Sequence, residues 1–129
     1  MLRVRAVIIQ NGKVLALERH KSGEHFWCFP GGGIERNESA KEALIRECLE
    51  EANIEVRVGK KIYHQNYKEK ENDFYLCEIV GGKVGRGNGP EYHNGGDRLN
   101  VYEPAWLPIK DLHKYDLRPS GLRDNLTKL

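Results

Sequence analysis

The sequence predicts an α/β fold in which at least five β-strands combine with helices. Apolar, β-branched and alternating segments bounded by turn residues recur through most of the chain, which is typical of strands. One segment carries helix signals instead. Ser39, with Glu42 three residues later, forms a capping-box pattern, and Asn53 suits the left-handed position after a helix end. A helix over Ala40–Ala52 therefore divides two groups of strands.

The strands before this helix are predicted at residues 4–9, 14–19 and 26–29. The first two flank Asn11-Gly12, a pair that favours a tight hairpin turn. The third is short and aromatic, and it ends at "PGGG", where Pro30 cannot donate a ladder hydrogen bond. Three consecutive glycines indicate that something approaches the backbone closely there.

After the helix, strands are predicted at 54–67 and 74–80, joined by the charged segment "KEKEND". Residues 81–96 are rich in glycine and are expected to form a loop. A strand over 99–106 follows, then a helical turn that includes Pro108 in its first turn, and a last helix over 120–128.

Length and composition indicate one soluble domain. The chain has 129 residues, and 21 Lys and Arg against 19 Asp and Glu leave a net charge of +2, which does not favour nucleic acid or a membrane as the main partner. Its three cysteines lack disulfide or zinc spacing, and the N-terminus resembles neither a signal peptide nor a membrane span. We therefore expect a cytoplasmic protein, with a monomer and a homodimer both open.

The predicted helix carries three carboxylates within five residues, Glu47, Glu50 and Glu51. A charge run usually marks a solvent-exposed helix face. At about 100° per residue from Ala40, however, Glu47 falls near 340° and Glu51 near 20°, inside the apolar stripe. Carboxylates that face the core need a partner. Three oxygen donors on one turn suit Mg²⁺ or Mn²⁺, and Mg²⁺ commonly binds together with substrate phosphates.

The triple glycine lies on the strand side of this helix. Its backbone carbonyl and amide groups, including those of Gly32 and Gly33, could reach a metal or an oxyanion. A glycine triplet alone more often marks a turn. Beside the carboxylates it supports a site for phosphate chemistry.

From Gly32 the sequence "GGIERNESAKEALIRECLEEANI" resembles the Nudix box, G-x5-E-x7-R-E-U-x-E-E-x-G-U with U apolar. The matching residues are Gly32, Glu38, Arg46, Glu47, Cys48, Glu50, Glu51 and Ile54. Only Asn53 departs, where the pattern has its second glycine. The resemblance implies the Nudix fold, a mixed β-sheet sandwiched between helices, as a single domain over residues 1–129.

The resemblance also implies roles for individual residues. Glu50 and Glu51 would bind the divalent metal, joined by Glu47 and by the carbonyl of Gly32. Arg46 resembles the arginine that orients the glutamates of the box. Glu38 would position that network or lie near the substrate.

Family members hydrolyse a nucleoside diphosphate linked to another group, with water attacking one phosphorus. The resemblance implies a glutamate as general base, either a box residue, most simply Glu47, or a later acid, Glu103 or alternatively Glu91. Arg19 and the backbone at Gly33 are candidate phosphate contacts.

Several other side chains could contribute to binding. Aromatic residues that could stack on a base are Phe26, Trp27, Tyr75 and Tyr92, although most aromatics in a chain of this size are core residues. His64, His93 and His113 have no ligand-like spacing and are expected at the surface or in the core.

The substrate is predicted by elimination. The motifs of the ADP-ribose, dinucleoside polyphosphate, NADH and coenzyme A branches are missing, which favours a MutT-like nucleoside triphosphate pyrophosphohydrolase. The alternatives are a nucleotide-sugar or dinucleotide pyrophosphatase and a Nudix module that senses nucleotides without turnover. An interaction protein that uses the glycine-rich loop is a third class, and it would show no metal dependence.

Overall fold

The computed structural model describes residues 2–67, 69–85 and 100–128. Its elements, in chain order, are β1 (Leu2–Val7), β2 (Ile9–Gln10), β3 (Lys13–Lys21), β4 (Glu24–Cys28), β5 (Gly31–Gly33), α1 (Ala40–Ala52), β6 (Ile54–Tyr67), β7 (Lys70–Gly82), β8 (Asn100–Pro108), a 3₁₀ helix (Ile109–Lys114), β9 (Leu117–Arg118) and α2 (Ser120–Leu126). The predicted helix and the predicted strand over 54–67 match α1 and β6 at both ends.

The strands form two sheets. One has the order β5-β1-β7-β6, and the other has the order β2-β3-β4-β9, with β8 as a further partner of β3. The β1–β7 and β4–β9 pairs are parallel, whereas the other pairs are antiparallel. Both sheets are therefore mixed, as predicted.

The first predicted strand, residues 4–9, was wrong as a single strand. The chain changes sheet at Ile8, so that β1 pairs with β5 and β7, and only β2 forms the hairpin with β3. The hairpin turn is at Asn11-Gly12 as predicted, with both residues at positive φ.

The core lies on two sides of the sheets. Val4 and Ala6 of β1 pack with Leu44 and Cys48 of α1. Val7 instead belongs to a second cluster that includes Leu122 and Leu126 of α2. Because neighbouring strand residues face opposite ways, one strand contributes to both clusters. The strands are thus sandwiched between α1 and the C-terminal helices, which confirms the predicted α/β architecture.

Helix α1 begins and ends by the predicted mechanisms. The Ser39 hydroxyl accepts a hydrogen bond from the Glu42 amide, and the Glu42 carboxylate accepts one from the Ser39 amide. Asn53 follows the helix in the left-handed conformation (φ 59°, ψ 35°). This conformation explains how asparagine replaces the glycine of the Nudix pattern.

The C-terminal half contains smaller corrections. Strand β7 begins at Lys70 and continues through Gly82, so the start of the predicted glycine-rich loop is strand. Pro108 ends β8 and precedes the 3₁₀ helix rather than lying within its first turn. The short strand β9 was not predicted. The remainder of the predicted loop, residues 86–96, lies outside the described residues.

The three cysteines are free thiols, as their spacing predicts. Within the described ranges, the helices are too short and too polar to cross a membrane.

Candidate active site

Arg46 of α1 organises the carboxylates of the Nudix pattern. Its Nε and Nη2 atoms donate to the two oxygens of Glu38, at 2.8 and 3.0 Å. Its Nη1 atom donates to Glu47 Oε1 at 2.8 Å and to Glu50 Oε2 at 3.4 Å. Nη2 also donates to the carbonyl of Gly33 at 3.1 Å. One guanidinium therefore links the loop before α1, the helix and strand β5.

The three helix carboxylates differ in exposure in the order the helical wheel predicts. Glu51 is buried, at 6% relative exposure, and its Oε1 accepts a hydrogen bond from the Gly31 amide at 2.8 Å. The side chains of Glu47 and Glu50 are 15% and 33% exposed. The carboxylates thus line the seam between α1 and β5 rather than a solvent-facing helix surface.

The close backbone approach predicted at the triple glycine is present. A Cβ added to Gly32 would lie 2.7 Å from Glu47 Oε1. A Cβ on Gly31, whose φ is 148°, would collide with the carbonyl of Val4. A Cβ on Gly33 would meet open space. A Cβ at 31 would therefore collide with the β1 backbone, whereas a Cβ at 32 would require the Glu47 carboxylate to move.

Charge pairing shifts the pKa values of this network. Hydrogen bonds from Arg46, and then one from the Glu35 amide, hold the pKa of Glu38 below its ordinary range. The same pairing with Glu38, followed by Glu47, raises the pKa of Arg46. Burial raises the pKa of the Cys48 thiol. At neutral pH the network therefore contains ionised Glu38 beside charged Arg46, with Cys48 as a neutral core residue.

Arg19, a candidate phosphate contact, lies among aromatic rings. Its guanidinium carbon is 3.8 Å from the ring centroid of Tyr102 and 5.8 Å from that of Phe26. Burial raises the pKa of the Cys28 thiol most strongly, Arg5 and Arg19 lower it, and Glu51 raises it further. In the β3–β4 ladder Arg19 is opposite Phe26, two residues from Cys28, so Arg19 lies on the sheet face that includes Cys28. Its phosphate contact stays a prediction.

Glu103, a candidate general base, lies on the other face of this sheet. It is opposite Glu18 in the β3–β8 ladder, whereas its neighbour Tyr102 is opposite Arg19. Adjacent strand residues point to opposite faces. The structure therefore brings Glu38, Arg46, Glu47, Glu50, Glu51 and the glycines together but sets Glu103 apart. A catalytic role for Glu103 stays a prediction.

The remaining aromatic candidates have protein partners. Phe26 lies 4.0 Å from the Arg118 guanidinium carbon, and Trp27 contacts the rings of His25 and Tyr115. Tyr75 packs against the core cluster under α1.

Of the histidines set aside from the sequence, His64 pairs with Asp73 at 2.6 Å, and His113 is exposed. Three residues named from the sequence, Glu91, Tyr92 and His93, lie outside the described residues.

Arg5 adjoins this network, and its position was not predicted from the sequence. It donates to the carbonyls of Phe29 and Gly31, at 3.1 and 3.3 Å, and it borders a cleft of about 540 Å³ between the two sheets. The cleft is also lined by Asn72 and Asp116. The sequence does contain a sign of this role. Arg5 interrupts the apolar segment of β1, and a charge among buried residues requires a partner.

Comparison with known proteins agrees with the Nudix pattern. The chain matches the NUDIX domain family over residues 1–126. It is 39% identical over 121 residues to the CTP pyrophosphohydrolase of Escherichia coli, covering 92% of this chain and 84% of that protein. A match to the RNA pyrophosphohydrolase of Pasteurella multocida, 39% over 57 residues, is local and spans 29% of that protein.

A solved MutT structure, from work on Aliivibrio salmonicida and Vibrio cholerae, superimposes with a TM-score of 0.72 at 24% identity, covering 98% of this chain and 93% of that one. At that identity the likeness shows the fold alone. The functional class is shown instead by the family match and by the long alignment with the Escherichia coli protein. The chain therefore belongs to the Nudix family and is a hydrolase that acts on pyrophosphate bonds.

Proposed function

We propose that this protein is a Mg²⁺-dependent nucleoside triphosphate pyrophosphohydrolase, with residues 1–129 acting as one domain. The observation that carries the proposal is the position of Glu51. Its buried carboxylate is held by the Gly31 amide, at the point where the glutamate network meets the cleft bordered by Arg5. Arg5, which lines the cleft, donates to the carbonyl of the same Gly31 whose amide holds Glu51, so Gly31 connects the candidate metal ligand with a nucleotide-sized cleft.

The donor set fits a hard divalent cation. The candidate ligands are the carboxylates of Glu47, Glu50 and Glu51 and the carbonyl of Gly32, all of them oxygen donors, which Mg²⁺ and Mn²⁺ prefer. Arg46 contacts two of these carboxylates together with Glu38, so its positive charge is divided among three carboxylates. A dication would add further positive charge to this cluster. When bound, it would neutralise phosphate oxygens and acidify a water molecule.

The cleft supports a nucleotide as the substrate. Its volume of about 540 Å³ lies within the usual range for small-molecule sites. Phe29 and Phe74 give it apolar walls, while Asn72 and Asp116 provide hydrogen-bonding groups for a base or ribose. Arg5 lies between this cleft and Gly31. A nucleoside in the cleft would therefore direct its phosphates past Arg5 toward the glutamates.

In the proposed reaction, water attacks a phosphorus of the triphosphate and pyrophosphate leaves. We assign the general base to a box glutamate, most simply Glu47, because Arg46 fixes the orientation of its carboxylate. Glu103 is the less favoured base because it projects from the opposite sheet face to Arg19. Arg46 and Glu38 act as positioning residues. The 39% identity to an enzyme named for CTP supports a triphosphate substrate.

The test is turnover of a substrate panel by the full chain with Mg²⁺ or Mn²⁺ at alkaline pH, with the products identified. We expect a nucleoside monophosphate and pyrophosphate from at least one triphosphate. Glu51→Gln should lower kcat at least about a hundredfold and keep the fold, because glutamine retains an oxygen that can accept from Gly31. The matched control is Glu42→Gln on the same helix, which retains the capping box.

Three results would contradict the proposal. If Glu51→Gln turned over substrate at the wild-type rate, Glu51 would not be a metal ligand of the active site. Cleavage of nucleotide sugars or dinucleotides in preference to every triphosphate would replace the substrate class. Inertness toward the whole panel would favour a module that binds nucleotides without turnover.

A further inference from the structure

Glu18, His20 and His25 form a cluster on the second sheet that the hydrolytic site does not use. One ligand atom from each residue lies within 4.8 Å of the other two. His25 Nε2 is 2.7 Å from Glu18 Oε2. The rings of His20 and His25 are stacked, with centroids 4.3 Å apart and an interplanar angle of 4°. Two imidazoles and a carboxylate therefore lie close enough together to share one ion.

The local sequence builds this cluster. His20 and His25 are directly opposite in the β3–β4 ladder, on either side of the two-residue Ser22-Gly23 turn. Both turn residues have positive φ, 51° and 81°, as the tight hairpin turn requires. The turn fixes the register, so the two rings face each other. The signal in the sequence is a pair of histidines equidistant from a Ser-Gly turn.

The cluster lies on a strand scaffold rather than on a loop. Strand β3 is hydrogen-bonded to β4 on one side and to β8 on the other. Trp27, which is opposite Glu18 in the ladder, contacts His25 with ring centroids 4.5 Å apart. Tyr115 packs edge-on against Trp27 at 5.1 Å. Trp27, itself packed against Tyr115, therefore supports the His25 ring, which favours a defined ligand geometry.

This sheet face also carries a second carboxylate. Glu103 is directly opposite Glu18 in the β3–β8 ladder, so both acids lie on the same face as the two histidines. This face is separate from the Nudix glutamates, because Leu15, on the opposite face of β3, packs in the core cluster with Leu44 and Cys48 of α1.

We propose that Glu18, His20 and His25 bind a zinc-type divalent ion. Two imidazoles and one carboxylate form a donor set that zinc uses in proteins, with one position left for water. Nitrogen donors favour Zn²⁺, Ni²⁺ or Cu²⁺ over Mg²⁺, so this site and the oxygen-only Nudix site select different metals. Ligands about 2.1 Å from one ion lie roughly 3 to 4 Å apart, so binding requires the two rings to rotate out of their stack and His25 to exchange its contact with Glu18 for the ion. The bound ion would stabilise the β3–β4 hairpin by linking its two strands.

The test is calorimetric titration of the full chain with Zn²⁺ in excess Mg²⁺, which occupies the Nudix glutamates. We expect one Zn²⁺ per chain, and at least tenfold weaker binding in His20→Gln and in His25→Gln. The control, His113→Gln, removes an exposed histidine elsewhere and should bind as wild type does. Co²⁺ should give a visible absorption spectrum that the two cluster variants lack. Zn²⁺ should raise the Tm of wild type but not that of the variants.

Unchanged Zn²⁺ affinity in His20→Gln and His25→Gln would overturn the proposal. The proposal would also fail if Glu51→Gln no longer bound Zn²⁺ while both histidine variants still bound it. The ion would then be bound by the Nudix glutamates. Melting curves recorded without metal show whether a variant is folded. We expect both histidine variants to melt as wild type does, because the substituted side chains are exposed. None of these measurements depends on turnover, so the proposed hydrolytic function and the zinc site can fail independently.

Discussion

Gly32→Ala tests whether the Nudix glycine is needed because of its close contact with Glu47. The added Cβ would lie 2.7 Å from Glu47 Oε1 and 2.8 Å from its Cδ. Comfortable contact between carbon atoms begins at about 3.5 Å. The Glu47 carboxylate would therefore have to move by about 0.7 Å, away from the position that its 2.8 Å hydrogen bond with Arg46 now fixes.

The expected effect is larger on catalysis than on stability. A misplacement of about 1 Å in a catalytic group can cost about a hundredfold in rate, so kcat/KM should fall by about 10- to 100-fold. Stability should change by only about 1 kcal/mol, because the obstructed atoms are the mobile end of a side chain. Reduced freedom of the unfolded chain offsets part of this loss. Steady-state kinetics and urea unfolding measure the two quantities.

Gly33→Ala is the matched control, because a Cβ there meets open space and the carbonyl that accepts from Arg46 is kept. It should stay within about 0.5 kcal/mol of wild-type stability. A double-mutant cycle adds a sharper test. In a Glu47→Ala background the obstruction is gone, so Gly32→Ala should no longer destabilise. Wild-type kcat/KM in Gly32→Ala, or an unchanged stability cost in the Glu47→Ala background, would refute the reasoning.

Two further predictions concern stability. The pKa of Glu38 is lowered by Arg46, so Glu38 stabilises the fold above the ordinary glutamate pKa of about 4.3 and this contribution is lost as the pH falls through the lower pKa of the folded state. Urea unfolding should show wild type more stable than Glu38→Gln from pH 5 to 7, with the difference shrinking below about pH 4. A pH-independent difference would contradict the pairing. Asn53→Ala should cost about 1 to 2 kcal/mol, because alanine is strained in the left-handed conformation, whereas Asn53→Gly should lie near wild type. If both variants lost the same stability, the loss would come instead from the hydrogen bond that the Asn53 side chain donates to the Lys83 carbonyl.

The sequence predicted the helical half of the site well because its information is local. The Ser39 capping box and the left-handed Asn53 fix the ends of α1 through contacts a few residues apart. Helical spacing alone then predicts that Glu51 is more buried than Glu50, as observed. The close approach at Gly32 was also predicted, although the approaching atom, a Glu47 oxygen, was identified only in the structure.

Predictions that depend on distant pairing were less complete. The division of the first strand at Ile8 follows from pairing with β5 and β7, which are far along the chain. Tyr102 and Glu103 exchange faces on a one-residue change of register, so only the β3–β8 ladder shows which of them joins Arg19. The position of Arg5 between the cleft and Gly31 likewise depends on the pairing of β1 with β5.

The sequence by itself determined the helix, its caps, the hairpin turn at Asn11-Gly12 and the spacing of the Nudix glutamates. These features depend on hydrogen bonds and steric limits within a few residues, and each is encoded where it occurs. The tertiary structure alone decided which face of the second sheet looks toward the glutamates, and that Arg5 and the cleft adjoin Gly31. The physical reason is that strand partners and register are selected by burial across the whole core, so no local pattern specifies them.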